Sequence, residues 1–240
     1  MDTLLRQIQS VESKSKKSQF KDAFTQACKS GNTDEVKALL QVENACNILG
    51  GVLYLGFSKA VDRNDVALVK AMVDFPSVKI RLSAGGSFRT ALIDASKSNA
   101  VDVVRFLLTE PQIKDEFSIH AFNDMALKEA CRMGALEAVQ FLTCSSEIQD
   151  RAAIASQDYS PLWVACNGGK MTVVQFLLTS PLIVPPNHIK VSHKVRCLPE
   201  LFQGPCYDFC RAWFESRELH RELEGQARQD IVRMSPSIII

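Results

Sequence analysis

Residues 160–178 read SPLWVACNGGKMTVVQFLL and contain a complete two-helix pattern. A small pair, Ala165-Cys166, is followed four residues after the alanine by Gly169, which tolerates a left-handed backbone where a helix must end abruptly. Apolar residues at positions i, i+3 and i+4 then follow, and this spacing gives a second helix one buried face. The stretch therefore predicts two helices that are joined by a tight turn.

The same signature occurs five times along the chain. Its anchor alanines are Ala27, Ala60, Ala95, Ala130 and Ala165. The residues four positions after the anchors are Gly31, Asn64, Asn99, Gly134 and Gly169. The residues nine positions after the anchors are Val36, Val69, Val104, Val139 and Val174. A repeat with a period near 33 residues predicts a stacked solenoid, in which each unit buries its apolar face against its neighbours.

The fifth copy resembles the ankyrin pattern T-P-L-H-x-A-A…G…V-V-x-L-L, with Trp163 in place of the usual histidine. The resemblance covers roughly residues 20–185, and it is weaker in the second copy, where Leu55-Gly56-Phe57 begins the first helix. It implies an all-α fold, an ankyrin-repeat solenoid of stacked antiparallel helix pairs with a helical C-terminal cap. The implied domains are an N-terminal extension or capping helix (1–19), five ankyrin repeats (20–188) and a C-terminal helical cap or extension (189–240) with a frayed tail at Ile238–Ile240.

The connections between copies contain Phe75-Pro76, Glu110-Pro111 and Ser180-Pro181, and we expect each proline to stop a helix. This proline variant, at a 35-residue spacing of Ala60, Ala95, Ala130 and Ala165, is similar to the ankyrin arrays of bacteria that live inside amoebae and other host cells. That similarity implies a secreted effector that acts on host proteins.

Composition limits the function classes. The 28 Lys and Arg residues nearly balance the 27 Asp and Glu residues, so the chain shows neither a nucleic-acid footprint nor a polybasic membrane anchor. No run reaches the eighteen apolar residues that a membrane span requires, and Met1–Ser10 lacks the apolar core of a signal peptide. Cys28, Cys131 and Cys166 occupy one helix-packing column, which predicts small buried thiols and a reducing, cytoplasmic compartment.

The resemblance implies a non-enzymatic module that binds a partner protein on the concave side of the solenoid. We expect no cofactor, no bound metal and a monomer. The implied contact positions after the small pairs include Lys29, Asp62, Arg63, Lys97, Arg132, Met133 and Asn167. The loop positions before the first helices add Tyr54, Arg89, Phe122 and Tyr159. Because Lys29, Lys97 and Arg132 would form a basic row about one repeat apart, an acidic segment of a partner would fit them.

Two alternatives stay open beyond the repeats. Leu198-Pro199-Glu200-Leu201 is similar to the start of an F-box, which would make the chain a ubiquitin-ligase substrate adapter, although the same residues suit a capping helix. A group of metal-ligating residue types lies within 188–210. It comprises His188, His193, Cys197, Cys206 and Cys210. The spacing lacks C-x-x-C, and no histidine is placed beside a particular cysteine, so a zinc site or a Cys/His enzyme is the weaker interpretation.

Overall fold

The computed structural model describes residues 14–84, 87–148, 160–180, 204–213 and 215–216. Over these ranges the chain is helical and contains no strand, which confirms the predicted all-α class. The chain divides into two compact units, Met1–Ala153 and Ile154–Ile240. The fifth copy of the signature therefore belongs to the second unit, whereas the sequence predicted a division between residues 188 and 189.

The first unit contains ten α-helices and one 3-10 turn among the residues described for it. In chain order they are α1 (Lys14–Ser30), α2 (Thr33–Leu40), α3 (Ala45–Leu49), α4 (Gly51–Asp62), α5 (Val66–Val73), α6 (Pro76–Ala84), α7 (Ser87–Lys97), α8 (Val101–Thr109), a 3-10 turn (Lys114–Glu116), α9 (Ala121–Met133) and α10 (Leu136–Cys144). Helix α1 already begins at Lys14, so the segment 1–19, which the sequence assigned to an N-terminal extension or capping helix, overlaps the first helix.

Four of the five signature copies form helix hairpins in this unit. The hairpins are α1–α2, α4–α5, α7–α8 and α9–α10, and the two helices of each hairpin contact each other. The first helices contact one another in the order α1, α4, α7, α9, and the second helices do so in the order α2, α5, α8, α10. Each hairpin is therefore in contact with its neighbours along both of its helices.

The turn inside each hairpin has the left-handed backbone that the repeat signature predicted. The φ angles are 72° at Gly31, 57° at Asn64, 58° at Asn99, 80° at Gly134 and 65° at Gly169. In all five copies the amide five residues after the anchor alanine donates to the anchor carbonyl, at distances of 2.8–3.0 Å. This bond is typical of a helix that ends at a left-handed residue, because it satisfies a carbonyl of the last turn.

The predicted apolar columns form the core. All five valines nine residues after the anchors have no exposed surface, and the anchor alanines are at most 1% exposed. The second copy has glycine at position 56, where a Cβ atom would lie 2.8 Å from the ring of Phe24 and 2.9 Å from Cys28 Sγ. Glycine at this position therefore permits the close approach of α1 and α4.

The connections differ from the prediction in one respect. At Glu110-Pro111 helix α8 ends before the proline, and Glu110 is extended, as expected. At Phe75-Pro76, however, the proline begins α6, and the first connection contains the short helix α3. The proline at position 76 was wrongly interpreted as a stop only, because the first residue of a helix needs no N–H donor and accepts the φ angle of proline.

The second helices are capped in two ways. Asn32 accepts from Glu35 N at 3.2 Å in α2, and Asp65 accepts from Leu68 N at 3.0 Å in α5, so these two caps are local. The residues that precede α8 and α10 are alanines, which supply no side-chain cap. There the left-handed asparagine of the preceding hairpin accepts from the first turn instead. These bonds join Val103 N to Asn64 Oδ1 and Ala138 N to Asn99 Oδ1, each at 3.0 Å.

The second unit contains the fifth hairpin, formed by α11 (Ser160–Asn167) and α12 (Met171–Thr179), and a further helix, α13 (205–213). Helix α13 lies in the segment 189–240, for which the sequence predicted helix. Cys166 of α11 lies 3.5 Å from Cys210 of α13, measured between sulfur atoms. The F-box-like segment at 198–201, the tail at 238–240 and Tyr159 lie outside the described residues, as do His188, His193 and Cys197.

Candidate protein-binding surface

The two positions after each small pair are exposed in all five copies. The residues are Lys29 and Ser30, Asp62 and Arg63, Lys97 and Ser98, Arg132 and Met133, and Asn167 and Gly168. The first position of each pair lies two residues after the buried anchor alanine, on the opposite side of the helix. The second position lies where the first helix ends. The first four pairs lie at the C-terminal ends of α1, α4, α7 and α9, which contact one another in that order, whereas the last pair belongs to the second unit.

Charged residues of both signs line three of these first helices. The charged strip, as we define it, comprises Lys59 and Asp62 of α4, Asp94 and Lys97 of α7, and Glu129 and Arg132 of α9. Lys59 Nζ lies 3.3 Å from Asp62 Oδ2, and Arg132 Nη2 lies 2.6 Å from Glu129 Oε2. The predicted row of Lys29, Lys97 and Arg132 therefore alternates with carboxylates instead of forming an unbroken basic surface.

The strip residues also influence one another from helix to helix. Burial raises the pKa of Asp94, the negative charge of Asp62 raises it further, and the positive charge of Lys97 lowers it. Hydrogen bonds from Arg132 lower the pKa of Glu129, burial opposes this, and the charges of Arg132 and Lys97 lower it further. Charges on neighbouring helices of the strip thus act on one another: Asp62 of α4 acts on Asp94 of α7, and Lys97 of α7 acts on Glu129 of α9.

Arg63 has a structural role that the sequence did not reveal. Its Nη1 atom donates to the carbonyl of Cys28 at 3.2 Å and also to the carbonyl of Lys29. Both carbonyls belong to the last turn of α1, where backbone acceptors have no helical partner. The guanidinium therefore caps the end of the preceding first helix, and a partner would compete with that role.

Tyr54 and Arg89 were predicted to lie in loops, and both lie inside helices, α4 and α7. The Tyr54 hydroxyl donates to the carbonyl of Arg81 at 3.1 Å, so the half-buried ring links α4 to α6. The loop assignment came from the resemblance to ankyrin repeats. It was wrong because α4 already begins at Gly51 and α7 at Ser87.

Phe122 lies at an unusual turn near the start of α9. Phe122, Asn123 and Asp124 all have positive φ angles, of 53°, 60° and 55°. The Asp124 side chain is only 4% exposed and lies 2.5 Å from His120 Nδ1. The turn leaves the Phe122 ring 54% exposed. An exposed aromatic ring is a frequent contact in protein interfaces, so the predicted candidate Phe122 is available to a partner.

A cavity that sequence reasoning missed lies between α3 and α6. It has a volume of about 530 Å³ and is lined by Cys46, Ile80 and Arg81, among others. Ile80 at its edge is 69% exposed, and Arg81 Nη1 donates to Asn47 Oδ1 at 3.0 Å. The cavity could not be predicted from the sequence, because the two short helices that line it, α3 and α6, were not predicted.

The predicted buried thiols are confirmed. Cys28, Cys131 and Cys166 are at most 4% exposed, and all three are free. Within the described part of the chain, no three His, Cys, Asp or Glu residues come together in a group that could hold a metal ion. Of the five residues in the proposed Cys/His set, the structure describes Cys206 and Cys210.

No helix among the described residues has both the length and the apolar character that crossing a membrane requires. Comparisons of the chain with known protein families, with curated proteins and with solved structures found no match.

Proposed function

We propose that the chain is an ankyrin-type repeat protein that binds a partner protein, without catalysis, through the exposed positions of its first helices. The observation that carries this proposal is the recurrence of exposure at the same two positions in every copy. The left-handed turn and the buried valine that follow these positions also recur at the same spacing from each anchor alanine. The proposal thus depends on a repeated surface and not on one residue.

The contacts between neighbouring first helices support a surface of sufficient size. A specific interface buries about 800 Å² on each partner, which is more than one or two side chains supply. Helices α1, α4, α7 and α9 contact one another in sequence, so their exposed positions form a continuous row. Phe122 and Met133, which are 54% and 44% exposed, add apolar contacts on α9.

The charged strip narrows the chemistry of the partner. Because carboxylates lie beside Lys97 and Arg132, a partner segment that carries both signs of charge fits better than a purely acidic one. Such complementarity acts mainly on the association rate and on specificity. We expect the association rate to fall only modestly between low and physiological salt. A steep fall would instead indicate an acidic partner, as the basic row alone suggested.

The experiment is affinity capture from cytosolic extract with the immobilised full chain, compared across charge and surface variants. The test variant carries Lys97→Glu and Met133→Asp on the first helices. The matched control is Lys70→Glu, which makes the same charge change on an exposed position of the second helix α5. Circular dichroism confirms that both variants keep their helices.

We expect a captured protein to be retained by the wild type and by Lys70→Glu and to be lost with the test variant. Loss with Lys70→Glu and retention with the test variant would place binding on the second helices and contradict the proposal. The same capture identifies the partner, so a repeat with purified partner gives the dissociation constants of the three chains.

A further inference from the structure

Two thiols are in contact in the second unit, and a third lies one helical turn from one of them. Cys166 lies on α11, and Cys206 and Cys210 lie one turn apart on α13. Their side chains are 4%, 5% and 2% exposed, and the sulfur atoms of Cys166 and Cys210 are 3.5 Å apart. A disulfide bond is about 2.05 Å long, so side-chain rotation through about 1.5 Å would bring the two sulfurs to bonding distance.

The two thiols differ in proton affinity. A hydrogen bond from Cys166 lowers the pKa of Cys210, and burial opposes this effect. The same hydrogen bond, together with burial, raises the pKa of Cys166. Cys210 is therefore the thiol of this pair that more readily becomes a thiolate, which is the nucleophilic form.

Two other cysteines provide an internal comparison, because Cys28 and Cys131 occupy the same repeat position as Cys166. Both are buried, and burial alone raises the pKa of each to about 12. Cys166 differs from them in facing the sulfur of Cys210 across the contact between α11 and α13. The repeat position explains why a small buried residue is needed there, but it does not explain the second sulfur.

We propose that Cys166 and Cys210 form a redox-active dithiol, which a peroxide converts to a disulfide that joins α11 to α13. The Cys210 thiolate attacks one peroxide oxygen, the O–O bond breaks, and the leaving hydroxide takes a proton to become water. Cys210 is then a sulfenic acid. The Cys166 sulfur attacks it and loses its proton, the S–O bond breaks, and a second water forms. One hydrogen peroxide is thus reduced to two waters while two thiols are oxidised to one disulfide.

Access to the site is controlled by α13. Because Cys210 is 2% exposed, a peroxide reaches it only when this short helix opens locally. Once formed, the disulfide closes a loop between residues 166 and 210 and restrains the unfolded chain. Oxidation therefore raises the thermal midpoint of the second unit and slows its proteolysis.

The test treats the purified full chain with hydrogen peroxide, blocks the remaining thiols by alkylation and maps the digest by mass spectrometry without reduction. We expect a linked peptide pair that contains Cys166 and Cys210, with two hydrogen masses fewer than the separate peptides. The count of free thiols falls from the eight of the sequence to six. A reductant such as dithiothreitol restores all of them.

Variants identify the pair. Cys210→Ser is expected to abolish the linked peptide and the rise in thermal midpoint. Cys131→Ser, a control at the repeat position equivalent to that of Cys166, keeps both, as does Cys206→Ser. Mapping of the wild type is decisive even if a variant fails to fold. A link from Cys166 to Cys206, or peroxide-treated chains without a link between Cys166 and Cys210, whether or not other cysteines are oxidised, would overturn the proposal.

Discussion

The first two hairpins and the next two meet the same structural requirement in different ways. Helices α2 and α5 are capped by their own preceding residues, Asn32 and Asp65. Helices α8 and α10 are preceded by alanines and receive their cap from Asn64 and Asn99, each one hairpin earlier. Each asparagine therefore serves twice, since it holds the left-handed turn of its own hairpin and caps the second helix of the next one.

The difference determines how neighbouring hairpins depend on each other. A local cap stabilises its helix whether or not the neighbour is folded, whereas an asparagine from the preceding hairpin can act only when both hairpins are in place. In repeat proteins, stability is approximately a sum of terms within units and terms between neighbours. From α4 to α10 the between-neighbour terms thus include the asparagine caps. The contact of α1–α2 with α4–α5 has no asparagine cap, and its between-neighbour terms include the bonds from Arg63 to the end of α1.

The largest expected effect comes from a charge in the α8 core, where the two regions meet. Val104 has no exposed surface, so Val104→Asp buries an unpaired carboxylate and should cost at least about 4 kcal/mol in the free energy of unfolding. Thermal unfolding followed by circular dichroism should show a split transition or loss of the folded state. Val101→Asp is the control, because a carboxylate in the first turn of a helix is favourable. One sharp transition at an unchanged midpoint would contradict the prediction.

Two substitutions of Asn99 separate the stability that its cap on α10 contributes from the stability that its left-handed turn contributes. Asn99→Ala removes the bond to Ala138 N and also places a Cβ-bearing aliphatic residue at φ 58°. We expect it to cost about 2 kcal/mol, of which about 1 kcal/mol is the cap and about 1 kcal/mol the left-handed backbone. Asn99→Gly keeps the turn and should lose only the first part. Urea denaturation gives both values, and an unchanged free energy of unfolding in Asn99→Gly would show that the cap contributes nothing.

The sequence predicted the features that depend on residue type and on the helix period, and it missed the bonds between residues far apart in the chain. The left-handed positions were predictable because glycine and asparagine are the residues that adopt this backbone at low cost. The buried valines were predictable from the helix period. The caps from Asn64 and Asn99 were not, because donor and acceptor are 39 residues apart and only the arrangement of the hairpins brings them together.

In the candidate surface, too, some features were predictable from the sequence and others depend on contacts between residues far apart in it. The positions after the small pairs, including Lys29, Lys97 and Arg132, were predicted from the resemblance to ankyrin repeats, and they are exposed. The pairing of Arg132 with Glu129 was missed, although the two residues stand at a helical spacing of three. The role of Arg63 depends on carbonyls in another hairpin, and the sulfur pair of Cys166 and Cys210 joins residues 44 positions apart. No local pattern encodes either contact.

Introducing an asparagine at position 31 of the first hairpin tests whether an asparagine at this turn can also cap the second helix of the next hairpin. Asparagine tolerates φ 72° at position 31, but its Cβ would lie 3.0 Å from Arg63 Nη2, and α5 is already capped by Asp65. Gly31→Asn should therefore destabilise the chain by about 1 kcal/mol and provide no new cap. Urea denaturation measures the change. An increase in stability would mean that the first two hairpins lack a cap that an asparagine can supply.

The smallest effects compare two carboxylates at equivalent positions, one residue before the anchors of α7 and α9. The pKa of Asp94 is raised above its ordinary 3.8, mainly by burial, so ionised Asp94 disfavours the fold at neutral pH. The pKa of Glu129 is lowered below its ordinary 4.5, mainly by hydrogen bonds from Arg132, so ionised Glu129 favours the fold. Equivalent positions in the repeat thus contribute with opposite signs.

Linkage then gives the pH dependence of each amide variant. The contribution of Glu129 is present above pH 4.5 and is lost as the pH falls through its folded-state pKa, so Glu129→Gln should destabilise the chain near pH 7 and not in stronger acid. The favourable contribution of Asp94 is present below pH 3.8 and is lost as the pH rises through its folded-state pKa, so Asp94→Asn should stabilise the chain near pH 7. Each change should stay below about 1 kcal/mol because solvent screens half-exposed groups. Urea denaturation at pH 7 and pH 3 measures both, and changes of equal sign at pH 7 would mean that hairpin position, and not each carboxylate's neighbours, determines its electrostatics.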